Sequence, residues 1–489
     1  MCLRVNNSGL KQQDSAVDVS VQRIGHSRIS SNLVQLLRLG ISGVAVSMVA
    51  FVIWTSRLLR PIADDYGIAV AANAGLIGSI TGFWQSWSGA VTSTLSLTLF
   101  VGLPLRHLPW SVASAIPFLS SAILMAAVGI WLLAPLLPEQ NRGDKAGTYL
   151  VSFAALLATW WGYWWLPAHL NPGESTDFAI ALGATHWQSV LAGYVIPMSP
   201  LVWAWLYLWT KRVSNLGLST VIHFSLGLLA GFGSAVFAAS SVVMILALGL
   251  LTVVRRGPLL RSQGFSLIST TVGVVIGALA SHFSPGSQYR ASLFSGPEDS
   301  PNVLLLLIPE ALSSGVSDWV DAISRPAAFM VVVVIGGTTF ALSQGQQSLG
   351  VRPLLGISVG LLGFSLVSFI VNRASELFVY EAFWHLTGPR AIAWIGLIAL
   401  AVALGNYLSR FKQSALSTLA IVLSTFIGLY FLIASLDFMC RQIIDRSEPW
   451  ELGPAPVYDI SDIDDPHGWV LTSWLELREL RDAPERKLP

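Results

Sequence analysis

Long apolar stretches separated by short polar segments recur along this chain from about residue 36 to residue 436. Many of them approach the roughly 20 residues that an α-helix needs to cross a bilayer. A membrane β-barrel would instead show alternation over segments of about ten residues. The pattern predicts an all-α fold, a polytopic transmembrane bundle of about 11 spans. The predicted spans are 36–56, 111–137, 148–166, 190–209, 217–233, 236–254, 265–283, 326–342, 353–372, 391–409 and 414–436.

The stretch from Val91 to Leu105 departs from this pattern. It is short, rich in Ser and Thr, and followed at once by Arg106 and His107. An apolar stretch of about 10–14 residues is more typical of a re-entrant or interfacial segment than of a span. We therefore predict that it folds back within a long first extracytoplasmic loop, residues 57–110.

Cationic side chains predict the orientation of the bundle. They cluster in the segments 142–145, 211–212, 255–261 and 410–412. With Val91–Leu105 kept out of the count, all four clusters lie on the same side as the N-terminus. The positive-inside rule makes that side cytoplasmic. The C-terminus is then predicted to be extracytoplasmic.

This topology divides the chain into three parts. Residues 1–35 form a polar cytoplasmic segment, 36–436 the transmembrane domain, and 437–489 an extracytoplasmic tail. All the long connections face the extracytoplasmic side, and connecting segments are where function concentrates. The long connections are 57–110, 167–189, 284–325 and 373–390.

Composition narrows the function classes. The chain is 53% hydrophobic and 11% charged, with a formal net charge of +1, which gives no indication of a nucleic-acid partner. No GxxxxGK[ST] motif is present, so a primary ATP-driven pump is disfavoured. The two cysteines, Cys2 and Cys440, lie at opposite ends of the chain and indicate no disulfide framework.

Two adjacent carboxylates, Asp64 and Asp65, follow the first predicted span within a few residues. Ionisable groups near the hydrocarbon boundary are costly and are often functional. Either carboxylate could remove the proton from an acceptor hydroxyl, with the other one as an orienting group or metal ligand. The alternative is a solvated turn after Pro61, in which Asp only supplies turn chemistry.

Two arginines are predicted at the same membrane depth. Arg290 follows the turn Pro285-Gly286, and Arg390 precedes the tenth predicted span. Their guanidinium groups present fixed donors that suit a phosphate. The alternatives are that Arg290 is an interfacial arginine reaching towards water and that Arg390 only caps a helix, where a cation opposes the helix dipole.

Aromatic side chains accompany these charges. Trp84 and Trp87 follow the Asp pair and could stack on a sugar, although most of the 19 Trp residues fit an interfacial belt. Trp187 and Tyr194 lie at the start of the fourth predicted span, where the same two interpretations apply. The lone histidines His186 and His385 are interpreted as packing or hydrogen-bonding groups.

Taken together, these segments resemble the GT-C superfamily of membrane glycosyltransferases, and in particular a bacterial branch of glucosyltransferase-like proteins. That branch carries an Asp-Asp-Tyr after the first span, a Trp-rich stretch ending in Ser-Gly-Arg, and later Pro-Gly-Asn-x-x-Arg and Pro-Arg-Ala motifs. The chain departs from it at Ala90, which replaces the arginine, and in 231–235, which lack a glutamate. The similar segments are Asp64-Asp65-Tyr66, Trp84 to Ala90, Trp187 with Gly193, Tyr194 and Pro197, Pro285 to Arg290, and Pro389-Arg390-Ala391.

The resemblance implies an inverting transfer of a sugar from a polyprenyl-phosphate donor to an envelope glycan or lipid acceptor at a bacterial plasma membrane. Asp64 or Asp65 would be the base, and Arg290 and Arg390 would stabilise the phosphate as it leaves. Some relatives need a divalent cation such as Mg²⁺ or Mn²⁺. The aromatic residues expected to bind substrate are Tyr66, Trp84, Trp87, Trp187 and Tyr194.

Two other functions remain open on the sequence. A transporter or flippase of lipid-linked glycans would be expected to carry ionisable residues within its spans and repeated halves, and neither is evident here. An inactive scaffold that keeps the lipid groove would be consistent with Ala90.

Overall fold

A computed structural model describes most of the chain, and every ordered element within the described part is helical. The all-α prediction is therefore confirmed for these residues. The described residues are 9–59, 64–86, 88–134, 142–172, 180–181, 184–185, 188–200, 202–203, 216–233, 239–240, 242, 264–294, 301–343, 351–376, 386–411 and 414–451.

Fifteen helices of five residues or more, together with shorter turns, make up the parts used below. Between α4 and α5 the chain forms a π-helix, Thr98–Gly102, and a second π-helix, Leu191–Val195, follows the short helix Gln188–Val190. The helices are α1 Gly9–Ser56, α2 Asp64–Ala71, α3 Gly75–Ser86, α4 Val91–Leu97, α5 Leu103–His107, α6 Trp110–Leu133, α7 Arg142–Leu170, α8 Leu216–Gly231, α9 Gly264–His282, α10 Pro285–Phe294, α11 Pro301–Ser324, α12 Pro326–Leu342, α13 Val351–Glu376, α14 Thr387–Leu408 and α15 Ala415–Glu451.

Within the described residues, five helices are long and apolar enough to cross a membrane, and a sixth span is present if the bent pair Pro309–Ser324 and Pro326–Leu342 counts as one. The multi-pass prediction is thus supported, whereas the count of about 11 spans is not confirmed. Predicted span 236–254 lies largely outside the described residues, and predicted span 190–209 is described over 190–200 and 202–203. The five helices are Ile29–Ser56, Ser111–Leu133, Pro353–Ala374, Thr387–Phe411 and Ala415–Asp445.

The segment 284–325, which the sequence analysis treats as a loop, is mostly helical. Its second half forms the 24-residue helix α11. The apolar residues of α11 are interrupted by Glu310, Asp318 and Asp321, which hid the helix from a search for continuous apolar runs. α1 and α15 also extend beyond the predicted span limits, to Gly9 and Glu451 respectively.

α7 is the central helix of the bundle, because it packs against α1, α6, α12 and α15. Its side chains Trp160, Trp161 and Trp165 are completely buried or nearly so. Trp160 contacts Trp394 of α14 edge to face, with ring centroids 5.1 Å apart. Large aromatic side chains bury much apolar area, so this helix belongs to the core although its mean hydropathy is modest.

Contacts between helices give their relative directions. Ser30 pairs with Thr418 at 3.0 Å, and Thr55 pairs with Cys440 at 3.3 Å, so α1 and α15 run parallel. Between these two contacts along α15, Thr425 packs against Gly337 of α12.

α13 and α14 run in opposite directions. Ser358 donates a hydrogen bond to the carbonyl of Gly396, and Ser365 donates one to the carbonyl of Pro389. The parallel pair of first and last spans, and the antiparallel ninth and tenth spans, agree with the directions predicted from the charge pattern.

Within the predicted first loop, Val91–Leu105 is a helical run built from α4, the π-helix 98–102 and α5, and it is not among the candidate spans. This run packs against α2. A Cβ atom at Gly102 would lie 2.7 Å from the Cβ of Ala72 and 2.9 Å from the carbonyl oxygen of Ile68. The close approach explains why a glycine occupies this position.

α8 and α9 form the tightest helix pair in the described part of the chain. Each carries a Gly-x-x-x-Gly motif, Gly227 with Gly231 and Gly273 with Gly277, and a Cβ at any of the four would collide with the backbone of the partner helix. Small residues at such spacing let membrane helices approach closely. Outside the motifs, His223 and Thr270 pair at 3.1 Å across the same seam.

We expect Gly227→Ala to destabilise the protein by about 1–3 kcal/mol, because the added methyl group overpacks the seam against the backbone of Thr270. Thermal unfolding in detergent would measure the loss. Gly43→Ala in α1 is the control, since a Cβ there meets no atom within 4 Å. Equal unfolding temperatures for the two variants would contradict the close packing of α8 and α9.

Candidate functional site

Asp65 is the most distinctive polar residue of the predicted first loop. It lies in the first turn of α2 and is completely buried. Its Oδ1 atom accepts a hydrogen bond of 2.7 Å from the backbone N–H of Ser189 and a short one from the Ser189 hydroxyl. Hydrogen bonds to an ionised carboxylate are stronger than neutral ones. They join two segments that are 124 residues apart in the chain.

The segment that holds Asp65 is itself unusual. Ser189 belongs to the short helix Gln188–Val190, which continues directly into the π-helix Leu191–Val195. The other π-helix, Thr98–Gly102, packs against α2 from within the first loop. Single π-helical turns are rare and are frequent at functional sites. Both of those described here contact or adjoin the Asp65–Ser189 pair.

Hydroxyl side chains of α4 form hydrogen bonds both to the 188–195 segment and to the α8–α9 pair. Ser93 donates a hydrogen bond of 2.9 Å to the carbonyl of Gly193, and Thr92 donates one of 2.7 Å to the carbonyl of Leu229. The backbone N–H of Thr92 also donates to the carbonyl of Phe232 at 3.0 Å. Because both serine and threonine are buried, these hydrogen bonds are shielded from water.

The Trp-rich segment contacts the segment that begins at Pro285. Pro285 and Gly286 were predicted to form a turn, but they open helix α10 and the turn lies just before them, at 283–284. The backbone N–H of Gly89 donates to the Ser287 hydroxyl at 2.9 Å. A side chain at Gly89 would collide with the backbone of Ser281. Trp84 packs its ring edge against Phe232, with centroids 6.4 Å apart. We call α2 to α5, the 188–195 segment and α10 together the loop layer.

Arg390 lies in the first turn of α14, and its side chain is only 9% exposed. Its Nη2 atom lies 3.3 Å from Oδ2 of Asp321 in α11, and Oδ1 of Asp321 forms a short ion pair with Arg325. Asp321 and Arg325 were not predicted as site residues, because the segment 284–325 was interpreted as a loop. The pattern that could have revealed them is an apolar segment interrupted by these two charged residues.

α14 also connects this ion-pair cluster to the loop layer, because it packs against the 191–195 segment that follows Ser189. The two groups of predicted site residues therefore lie on adjoining elements of the bundle. Tyr194, another predicted site residue, belongs to that segment and is partly buried.

Several predicted site residues lie outside what the structure describes. Trp87, Trp187, His186 and His385 are not described. The backbones of Asp64, Tyr66 and Arg290 are described as helical, but their side chains are not. The convergence of Arg290 and Arg390 and the role of Asp64 therefore stay predictions.

Among the residues whose side chains are described, no three His, Cys, Asp or Glu side chains form a group that could hold a metal ion. Asp65 is engaged by hydrogen-bond donors of Ser189.

We expect Ser189→Ala to destabilise the protein by about 1–3 kcal/mol, because it removes the hydroxyl that donates to a fully buried carboxyl group. Thermal unfolding would measure the change. The matched control is Ser86→Ala, whose exposed hydroxyl bonds only to a carbonyl of its own helix. A destabilisation no larger than that of the control would show that the hydroxyl of Ser189 does not support Asp65.

Neither a protein-family model nor a curated protein matches this chain. The functional interpretation therefore depends on the residues and their geometry. The features that carry it are the buried Asp65–Ser189 pair, the converging loop layer and the Arg390 cluster on the adjoining helix α14.

Proposed function

We propose that this protein is an integral membrane glycosyltransferase. It transfers a sugar from a polyprenyl-phosphate donor to an envelope glycan or lipid acceptor. The reaction takes place in the loop layer, at the extracytoplasmic face of a bacterial plasma membrane. The proposed topology is a GT-C-like bundle of about 11 spans with a cytoplasmic N-terminus and an extracytoplasmic C-terminus.

The observation that carries this proposal is the fixed position of Asp65. A fully buried carboxylate is costly unless it is hydrogen-bonded, and here it joins the first loop to the segment before the fourth predicted span. Such an anchor gives its neighbour Asp64 a defined place at the start of α2. Preorganised geometry of this kind is what a general base requires.

The two aspartates therefore receive different roles. Since Oδ1 of Asp65 is occupied by both donors of Ser189, Asp65 is assigned the orienting role. Asp64 is assigned the role of the base.

The proposed reaction is a single displacement. The acceptor hydroxyl attacks the anomeric carbon and gives its proton to Asp64. The bond between the anomeric carbon and the phosphate oxygen breaks, and the electron pair leaves with the lipid phosphate, whose charge Arg290 and Arg390 stabilise. Attack from the face opposite the leaving group inverts the anomeric configuration, as it does in enzymes that use one base to activate the attacking group.

Binding of the sugar is assigned to aromatic side chains of the loop layer and its surroundings. Trp84 has a partly buried ring beside Phe232, and Tyr194 lies in the segment that holds Asp65. The remaining proposed contacts are Tyr66, Trp87 and Trp187. Aromatic rings supply broad apolar faces, and Tyr and Trp add a hydrogen-bonding group.

We expect Asp64→Asn to lower sugar transfer by about 10²–10⁴-fold, because general-base catalysis contributes that much, while thermal stability stays unchanged. Asp65→Asn should lower both transfer and stability, since it removes the charge that the donors of Ser189 stabilise. Product formation from polyprenyl-phosphate sugars in membrane vesicles measures the first effect.

The control is Asp437→Asn, because Asp437 is an exposed carboxylate paired only along its own helix with Arg441. Full transfer activity in Asp64→Asn would refute the assignment of the base. Movement of a lipid-linked glycan across the vesicle membrane without any transfer would favour a flippase. The absence of both transfer and movement in the unchanged protein and in every variant would favour a scaffold.

A further inference from the structure

Helices α12 and α14 begin side by side. Arg325, which immediately precedes α12, and Arg390, in the first turn of α14, are joined through Asp321. Further along the two helices, a Cβ at Gly405 would lie 2.7 Å from the Cβ of Thr339. The two helices therefore run parallel, with their N-termini adjacent. Each N-terminus carries about half a positive charge from the helix dipole.

Arg390 lies at the N-terminus of α14, where a cation is unfavourable, whereas Arg325 lies between the C-terminus of α11 and the N-terminus of α12. A cation is stabilised at the C-terminus of a helix, and anions are stabilised at the N-terminus. Arg325 is the N-cap residue before Pro326, and Arg390 is nine-tenths buried. Two guanidinium groups and two helix N-termini face one carboxylate and the C-terminus of α11, so a net positive potential remains there and favours a further anion.

Asp321 supplies a carboxylate at this place, and each of its two oxygens contacts a different arginine. Oδ1 forms a short ion pair with Arg325, whereas Oδ2 lies 3.3 Å from Nη2 of Arg390. Charge-assisted hydrogen bonds are typically about 2.7–2.9 Å long, so the contact with Arg390 is a loose one. Asp321 is also the most exposed of the three, at 34%.

We propose that Arg325 joins the two arginines already assigned, Arg290 and Arg390, in binding the phosphate of the lipid donor, and that Asp321 occupies Arg390 when no phosphate is bound. The identity of this anion rests on the proposed function. Arg325 is then a phosphate-binding residue, and the carboxylate of Asp321 competes with the ligand. Phosphate binding displaces Oδ2 from Arg390 and breaks no covalent bond.

A neighbouring ion pair provides the control for this cluster. Asp318 lies one turn earlier on α11 and pairs with Arg373 of α13. Trp319 adds a hydrogen bond of 3.0 Å from its indole N–H to the carbonyl of Leu362, also in α13. Loss of Asp318 would loosen the attachment of α11 to α13 and leave the Asp321–Arg390 contact in place.

The test measures binding of geranyl monophosphate, a short prenyl phosphate without a sugar, to the purified full-length protein in detergent by calorimetry. We expect Asp321→Asn to lower the Kd about tenfold, because a competing charged partner of Arg390 is removed. Arg325→Gln should raise the Kd about tenfold, since one guanidinium group is lost. Asp318→Asn should change it less than about twofold.

Weaker or unchanged binding in Asp321→Asn would overturn the competition, and an unchanged Kd in Arg325→Gln would overturn the second arginine. A Kd for inorganic phosphate equal to that for geranyl monophosphate would overturn the assignment to a lipid-linked phosphate. Unfolding temperatures of all three variants show whether a change in Kd arises from misfolding.

The same measurement separates this inference from the proposed function. Asp64→Asn should bind geranyl monophosphate as the unchanged protein does, because Asp64 is assigned to the base and not to the phosphate. If neither the unchanged protein nor any variant transfers a sugar, the glycosyltransferase proposal fails. The order of the Kd values would still establish the phosphate site.

Discussion

The hydrogen bonds between Asp65 and Ser189 are the interaction on which the loop layer depends. Asp65 has no exposed surface, so its carboxyl group is stabilised by the hydrogen bonds that it accepts from Ser189. These donors come from a segment that also accepts a hydrogen bond from Ser93 through the carbonyl of Gly193. One buried carboxylate thereby sets the position of α2, and with it the start of the helix where Asp64 lies.

The rest of the bundle places a second polar cluster beside this layer. α14 begins with the buried Arg390, runs antiparallel to α13, and packs against the 191–195 segment. A proposed base on one side and a proposed phosphate site on the other match the two demands of glycosyl transfer. The acceptor has to lose a proton, and the leaving group has to be stabilised as it takes up negative charge.

Local sequence patterns predicted the helical class and kept Val91–Leu105 apart from the spans, because both follow from the length and continuity of apolar runs. They did not predict α11, whose apolar face is interrupted by Asp318 and Asp321. Nor could they pair Asp65 with Ser189, which is 124 residues away. Pairing at that distance is decided by packing in three dimensions, and no local pattern reports it.

The central claim is that one base activates an acceptor hydroxyl against a lipid-linked sugar, and the stereochemistry of the product tests it most directly. The purified protein would be reconstituted in vesicles with a panel of polyprenyl-phosphate sugars, and the anomeric configuration of the product would be determined by NMR. The account predicts a product whose configuration is inverted relative to the donor. A product that retains the configuration of the donor would contradict it.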